Sequence, residues 1–301
     1  MIDGCQSGNV KIGILLASQL KRLVSFSTTL KEHPFFTYFC YIQFPSMTPK
    51  SYFFVFEMLT LRYIIFAGLA FLVFYVLFSK KFVGIKIQPN SPKRKDYLRE
   101  ILYSISSLLI ISLCLYSALN RSMLRPYTRV YSSISDHGWV YFFVTIFLAL
   151  VIHDTYFYWM HRLIHHPKLF KTFHLVHHKS NNPSPWAAYA FHPLEAVLEG
   201  FVVYVIVFTL PIHPYALLAF GLIMIAYNVY GHLGYEIYPK WLVNSPIGKW
   251  LNTSTNHNMH HKYFNDNYGL YFRFWDEIMK TTHPKYQETI NEIVTKEKVT
   301  A

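Results

Sequence analysis

Residues 139–165, WVYFFVTIFLALVIHDTYFYWMHRLIH, decide how this chain is read. The run opens with 139–152, which carry no charge, and then passes His153 and Asp154 to end on His161 and His165. Its apolar part suits a helix that crosses a bilayer, which needs about 20 such residues. Its end is something else: histidines four apart project from one helix face, as metal ligands must.

The rest of the composition agrees with a membrane protein. Of 301 residues, 52% are hydrophobic and 15% charged, against about 25% charged in an ordinary soluble domain. A net charge of +12 invites a nucleic-acid reading, but the basic residues stand between apolar runs rather than along one amphipathic face, so no nucleic-acid partner is expected. Lys80, Lys81, Lys86, Lys93, Arg94, Lys95 and Arg99 share one connection, the mark of a cytoplasmic loop. Cys5, Cys40 and Cys114 form no CxxC pair and indicate neither a disulfide framework nor a thiolate site.

The first span is expected at about 54–78, with Glu57 and Arg62 toward its outer end, and the second at about 101–119. The third runs from Trp139. The apolar region 196–230 is broken by Pro211 and Pro214 and reads as a helical hairpin that returns to its starting side. Counting crossings puts 79–99, 155–195 and everything beyond about 231 on one face. That face is cytoplasmic if the basic loop outweighs the three arginines of 120–137. The fold class is therefore an all-α integral membrane protein of four to five transmembrane or hairpin helices under a cytoplasmic helical cap. Its parts are an unassigned segment 1–46, N-terminal transmembrane helices 47–135, a catalytic domain 136–283 and a tail 284–301. Met47 reads as an alternative start, which would leave 1–46 outside the native chain.

Three histidine clusters carry the chemistry: His161 and His165; His174, His177 and His178; His257, His260 and His261. Each can aim two or three imidazoles at one point. Imidazole suits Fe, Zn, Cu and Ni, and these histidines could hold two metals with about four ligands each. His232 lies on the correct side to join them. His192 could complete a metal shell or orient a ligand. Asp154 and Glu195 are the carboxylates placed to take the second N–H of a ligating imidazole, and Arg162 is expected to pair with a carboxylate. His33, His137, His213 and His283 stand alone and read as interfacial polar residues; His166, beside Pro167, is left out.

The run from Asp154 through Tyr158-Trp159-Met160-His161-Arg162, then His165, the His174–His178 cluster, Phe191-His192-Pro193, Gly231-His232 and Thr255–His261, resembles the fatty acid hydroxylase and sterol desaturase superfamily. So do Asn267–Phe272 and Phe274-Trp275-Asp276, and the tail is most similar to the sterol C5-desaturase-like branch. The resemblance covers about 139–283. It implies a histidine-bound di-iron centre, O2 as cosubstrate, and hydroxylation or desaturation of a sterol-like or acyl lipid. It also implies electrons from a separate carrier such as cytochrome b5 or ferredoxin with its reductase, because His33-Pro34 is followed by Phe35-Phe36 rather than by the glycines of a cytochrome b5 motif. One position departs from the pattern: Asn228 stands four residues before His232, where some fatty acid hydroxylases have a further histidine. It could reach a metal through water, and it is counted with Asp154 and Glu195 among the candidate catalytic-site residues. A zinc-dependent membrane hydrolase is the alternative, although HExxH is absent. A histidine-rich transporter is less favoured, because the clusters lie outside the spans.

Overall fold

The structure, a computed structural model, describes residues 49–120 and 122–296. The expectations for 1–46, and for the tail beyond 296, lie outside these residues. Among them there are eleven α-helices and no β-strand.

Helix α1, Pro49–Phe71, begins with a proline, whose missing N–H costs nothing in the first turn. It continues through a π-helical turn, Leu72–Leu77, where the Tyr75 hydroxyl donates to the Leu233 carbonyl at 2.9 Å. The resulting apolar rod has 28 residues, about 42 Å at 1.5 Å per residue. Because it starts at Pro49 and not at 54, Arg62 falls near the middle of the span rather than toward its outer end.

Helix α2, Arg94–Leu119, takes Arg94, Lys95 and Arg99 out of the preceding loop and into its first turns. Asp96 secures that start by accepting from the Lys93 N–H at 3.1 Å. Helix α3, Gly138–Ile164, has 27 residues. At about 40 Å it is longer than the ~30 Å hydrocarbon core, so its last turns stand clear and carry His161 and His165 beyond the apolar layer. The short α4 (Pro167–Phe173) and α5 (Leu175–His178) follow. Next come the hairpin helices α6 (Pro193–Thr209) and α7 (Pro214–Gly231), turned where the prolines predict. Among the described residues, four helices are long and apolar enough to cross a membrane: α1 with its π-helical extension, α2, α3 and α7.

A cap closes one end: α8 (Lys240–Val243), α9 (Ser254–Tyr263), α10 (Phe274–Ile278) and α11 (Tyr286–Lys296). Tyr286, Ile290 and Val294 of α11 pack on Met259 of α9. The basic loop joins this cap. Lys86 bridges to Tyr235, and Gln88 donates to Asn258 at 2.8 Å, so loop and histidines share one side, as the crossing count requires.

Helices α2 and α6 approach closely at Gly200, where an added Cβ would lie 2.8 Å from Cys114 Sγ. Gly200→Val is expected to cost about 1–3 kcal/mol by overpacking this crossing, read as a lower thermal midpoint of the detergent-solubilised protein. An unchanged midpoint would contradict the packing.

Candidate metal centre

Two groups of imidazoles converge in the cap, His161, His165, His174, His178 and His260 in one, and His177, His232, His257 and His261 in the other. Eight of the nine are buried. Each helix supplies its share for a local reason. On the last turn of α3, His161 and His165 are one turn apart. His174 is the N-cap of the single-turn α5, which sends His174 and His178 one way and His177 the other. Thr253 caps α9 by accepting from the Asn256 N–H at 3.0 Å. From α9, His257 and His261 enter the second group and His260 the first.

The second and third clusters therefore do not each aim at one point, as the spacing alone suggested. Adjacent residues on a helix diverge by about 100°, and the ring centroids of His177 and His178 stand 5.8 Å apart, those of His260 and His261 5.9 Å. Clusters with neighbouring histidines bridge two sites. The two groups hold five and four histidines, rather than about four each.

The tautomers make the case for cations. His161 Nδ1–H donates to the Tyr268 carbonyl at 3.0 Å, and His174 Nδ1–H donates to Glu195 Oε1 at 2.5 Å. His232 Nδ1–H donates to the Asn228 carbonyl at 2.7 Å, and His260 Nδ1–H to the Asp266 carbonyl at 2.6 Å. A neutral imidazole that donates through Nδ1 has only a lone pair on Nε2. Yet His161 and His174 bring their Nε2 atoms within 2.9 Å of each other. Other Nε2 pairs are equally close: 3.1 Å for His178–His260, 3.1 Å for His232–His257 and 3.2 Å for His257–His261. For His161 and His174, both committed through Nδ1, two lone pairs face each other and repel unless a cation sits between them; in the other pairs at least one ring keeps a free choice of tautomer. For metal–nitrogen bonds near 2.1 Å, the edges of a tetrahedron or octahedron are roughly 3.0–3.4 Å long, which these separations match. The donor set fits two metal ions.

Electrostatics favours the same occupant. Burial, reinforced by neighbouring histidines, holds His174, His177, His178, His257 and His261 well below the usual imidazole range. Burial likewise brings His232 down to about 4. Neutral imidazole is the ligating form, so metal need not displace protons near neutral pH.

The other candidate residues take several places. Glu195 orients His174. Asn228 reaches His232 through its backbone carbonyl, while its side-chain amide donates to the Ala188 carbonyl at 2.7 Å. Asp154 touches no histidine of either group. One of its oxygens accepts from the N–H groups of Leu270, Tyr271 and Phe272 at 3.3, 2.7 and 3.1 Å, fixing the loop whose Tyr268 carbonyl orients His161. Arg162 donates to the Tyr158 hydroxyl at 3.3 Å, not to a carboxylate.

His192 stands apart from both groups. Its ring accepts from the Leu194 N–H at 3.3 Å and caps α6. His166, His213 and His283 do the same for Lys168, Tyr215 and Lys285 at 3.3, 3.2 and 3.1 Å. All four precede a proline. Proline starts the turn and the preceding histidine closes it, a local signal that sets these capping residues apart from the converging nine.

Two carboxylates were not singled out by the sequence pattern. Glu236 accepts from the Tyr230 hydroxyl at 2.6 Å, the Thr255 N–H at 3.0 Å and the Thr255 hydroxyl at 2.8 Å, anchoring the first turn of α9. Asp276 accepts from the Tyr268 and Gly269 N–H groups, both at 2.8 Å. A Cβ at Gly269 would lie 2.4 Å from the Phe272 carbonyl, so only glycine fits this bend.

His232→Ala removes one of four donors and is expected to lower bound metal by about half, measured by elemental analysis. Glu195→Ala is expected to weaken metal retention by roughly 10–100-fold in chelator competition. Wild-type retention in the Glu195 variant would contradict its orienting role.

The fatty acid hydroxylase family model matches residues 146–281. Mouse lathosterol oxidase is 32% identical over 182 residues, 60% of this chain and 59% of that protein. A delta(7)-sterol 5(6)-desaturase of Gibberella zeae is 33% identical over 152 residues, 50% of this chain and 46% of its own length. Another, of Aspergillus fumigatus, is 28% identical over 238 residues, covering 72% of this chain and 70% of that one. The chain thus spans about half to three-fifths of the first two relatives. No solved structure gives a significant match. Residues 146–281 thus match the fatty acid hydroxylase family model, and over this part the chain is similar to sterol desaturases and lathosterol oxidases.

Proposed function

We propose that this chain is a membrane di-iron oxidoreductase that uses O2 and externally supplied electrons to desaturate or hydroxylate a lipid, with a sterol-like substrate and desaturation favoured by the names of its relatives. The observation that carries the reading is the pair of adjacent all-histidine groups at the end of the spanning helices, neither of which includes a carboxylate or cysteine. Two irons held there would supply the capacity to activate O2 and cleave an unactivated C–H bond.

The chain's own residues do the rest. Nine imidazoles would hold the metals; Glu195 and the carbonyls of Tyr268, Asn228 and Asp266 orient four of them through Nδ1. Asp154, Glu236 and Asp276 brace the segments that carry them. Burial keeps bulk water from the groups. The positive charge of the connection 79–99 supports a cytoplasmic side for this cap, where a separate carrier such as cytochrome b5 or ferredoxin would deliver electrons.

Cells expressing the wild type are expected to accumulate a lipid that has gained a double bond or an oxygen only when O2 is present. His177→Ala should abolish the product and lower the iron content of the purified chain. Zinc in place of iron, with no oxidised lipid, would overturn the reading in favour of a hydrolase.

A further inference from the structure

Between α1, α2, α6 and α7 lies a cavity of about 330 Å³. It occupies the half of the bundle away from the histidines, walled by residues such as Phe54, Leu115, Pro214 and Leu217. Leu61, Ile65 and Leu222 line it and are also exposed on the outer face, so its mouth opens toward lipid. Among all its lining residues, only Arg62 has a polar side chain.

A cation in the middle of a span is costly and needs a partner. Arg62 has no ion pair among the described residues. Its Nη2 reaches the Tyr189 hydroxyl only at 3.5 Å, and its buried Nε has no hydrogen-bond partner. Gly221 on α7 leaves the space the guanidinium occupies, since a Cβ there would lie 2.6 Å from Nη1. Tyr189 in turn contacts Phe191, ring centroids 6.2 Å apart, and Phe191 lies against His177 at 5.0 Å. Arg62 thus closes the cavity on its metal-facing side.

We propose that Arg62 binds the oxygen-bearing end of a lipid whose apolar body fills this cavity, and so sets which way the substrate points. The inference rests on the lipid-oxidising reading. The group recognised is one hydrogen-bond-accepting oxygen, from an acyl carboxylate or from a sterol hydroxyl. The guanidinium offers donors to either, and the surrounding wall has none to compete.

Equilibrium binding to the metal-loaded full-length chain tests this without turnover. Radiolabelled oleic acid and cholestanol are used in separate arms, each competed by its oxygen-free counterpart, octadecene or cholestane. The wild type is expected to prefer at least one oxygenated probe by about tenfold; the arm that shows it identifies the source. Arg62→Met should lose that preference while keeping its metal content. Gly221→Ala, whose new methyl meets only the tip of a flexible side chain, should also weaken it. The proposal falls if the wild type binds neither probe or does not discriminate, or if both variants keep the preference. A wild type that binds with this preference but oxidises no lipid would sink the enzymatic reading and leave Arg62 in its role.

Discussion

Repulsion between converging imidazole lone pairs is the constraint on which the cap depends. Where Nδ1 is committed to donation, as in His161, His174, His232 and His260, Nε2 can only accept. His161 and His174 bring two such atoms to 2.9 Å inside a buried cap, which is unfavourable unless positive charge lies between them. Metal binding and folding of the cap are therefore expected to be coupled, as they are wherever a site preassembles ligands that would otherwise repel.

Much of the remaining structure serves to hold these rings still. The spanning helix α3 overshoots the bilayer so that its last turn delivers two ligands. Glu236 clamps the start of α9, and Asp154 and Asp276 fold the loop between them. Glu100, buried in α2, accepts from Ser180 at 2.7 Å and from Ser184, fastening the segment after α5 to the bundle. Buried carboxylates bound to backbone N–H or hydroxyl groups are costly to unpair, and they set geometry without touching a metal.

The spans, the hairpin at Pro211–Pro214 and the three histidine clusters were legible because each rests on a local pattern: apolar length, proline, and three- or four-residue spacing. His232 was found by the side of the membrane on which it falls. Less legible was the division of ligands, because spacing shows which residues share a helix face but not which of two neighbouring points that face meets. His192, read from the sequence as completing a metal shell or orienting a ligand, instead caps a helix as its proline neighbour marks, a signal repeated at His166, His213 and His283. The start of the first helix was less legible, because the polar residues Lys50 and Ser51 conceal a helix that already begins at Pro49. Glu236 and Asp276 act on partners up to 19 residues away in the chain, which no short pattern reveals.

X-ray absorption of the purified, metal-loaded protein tests the central claim most directly, since it reports the atoms around the metal rather than the reaction. The account predicts two metal ions per chain, each surrounded by nitrogen or oxygen at about 2.0–2.2 Å with the multiple-scattering signature of imidazole. One metal per chain, or sulfur among its neighbours, would contradict it.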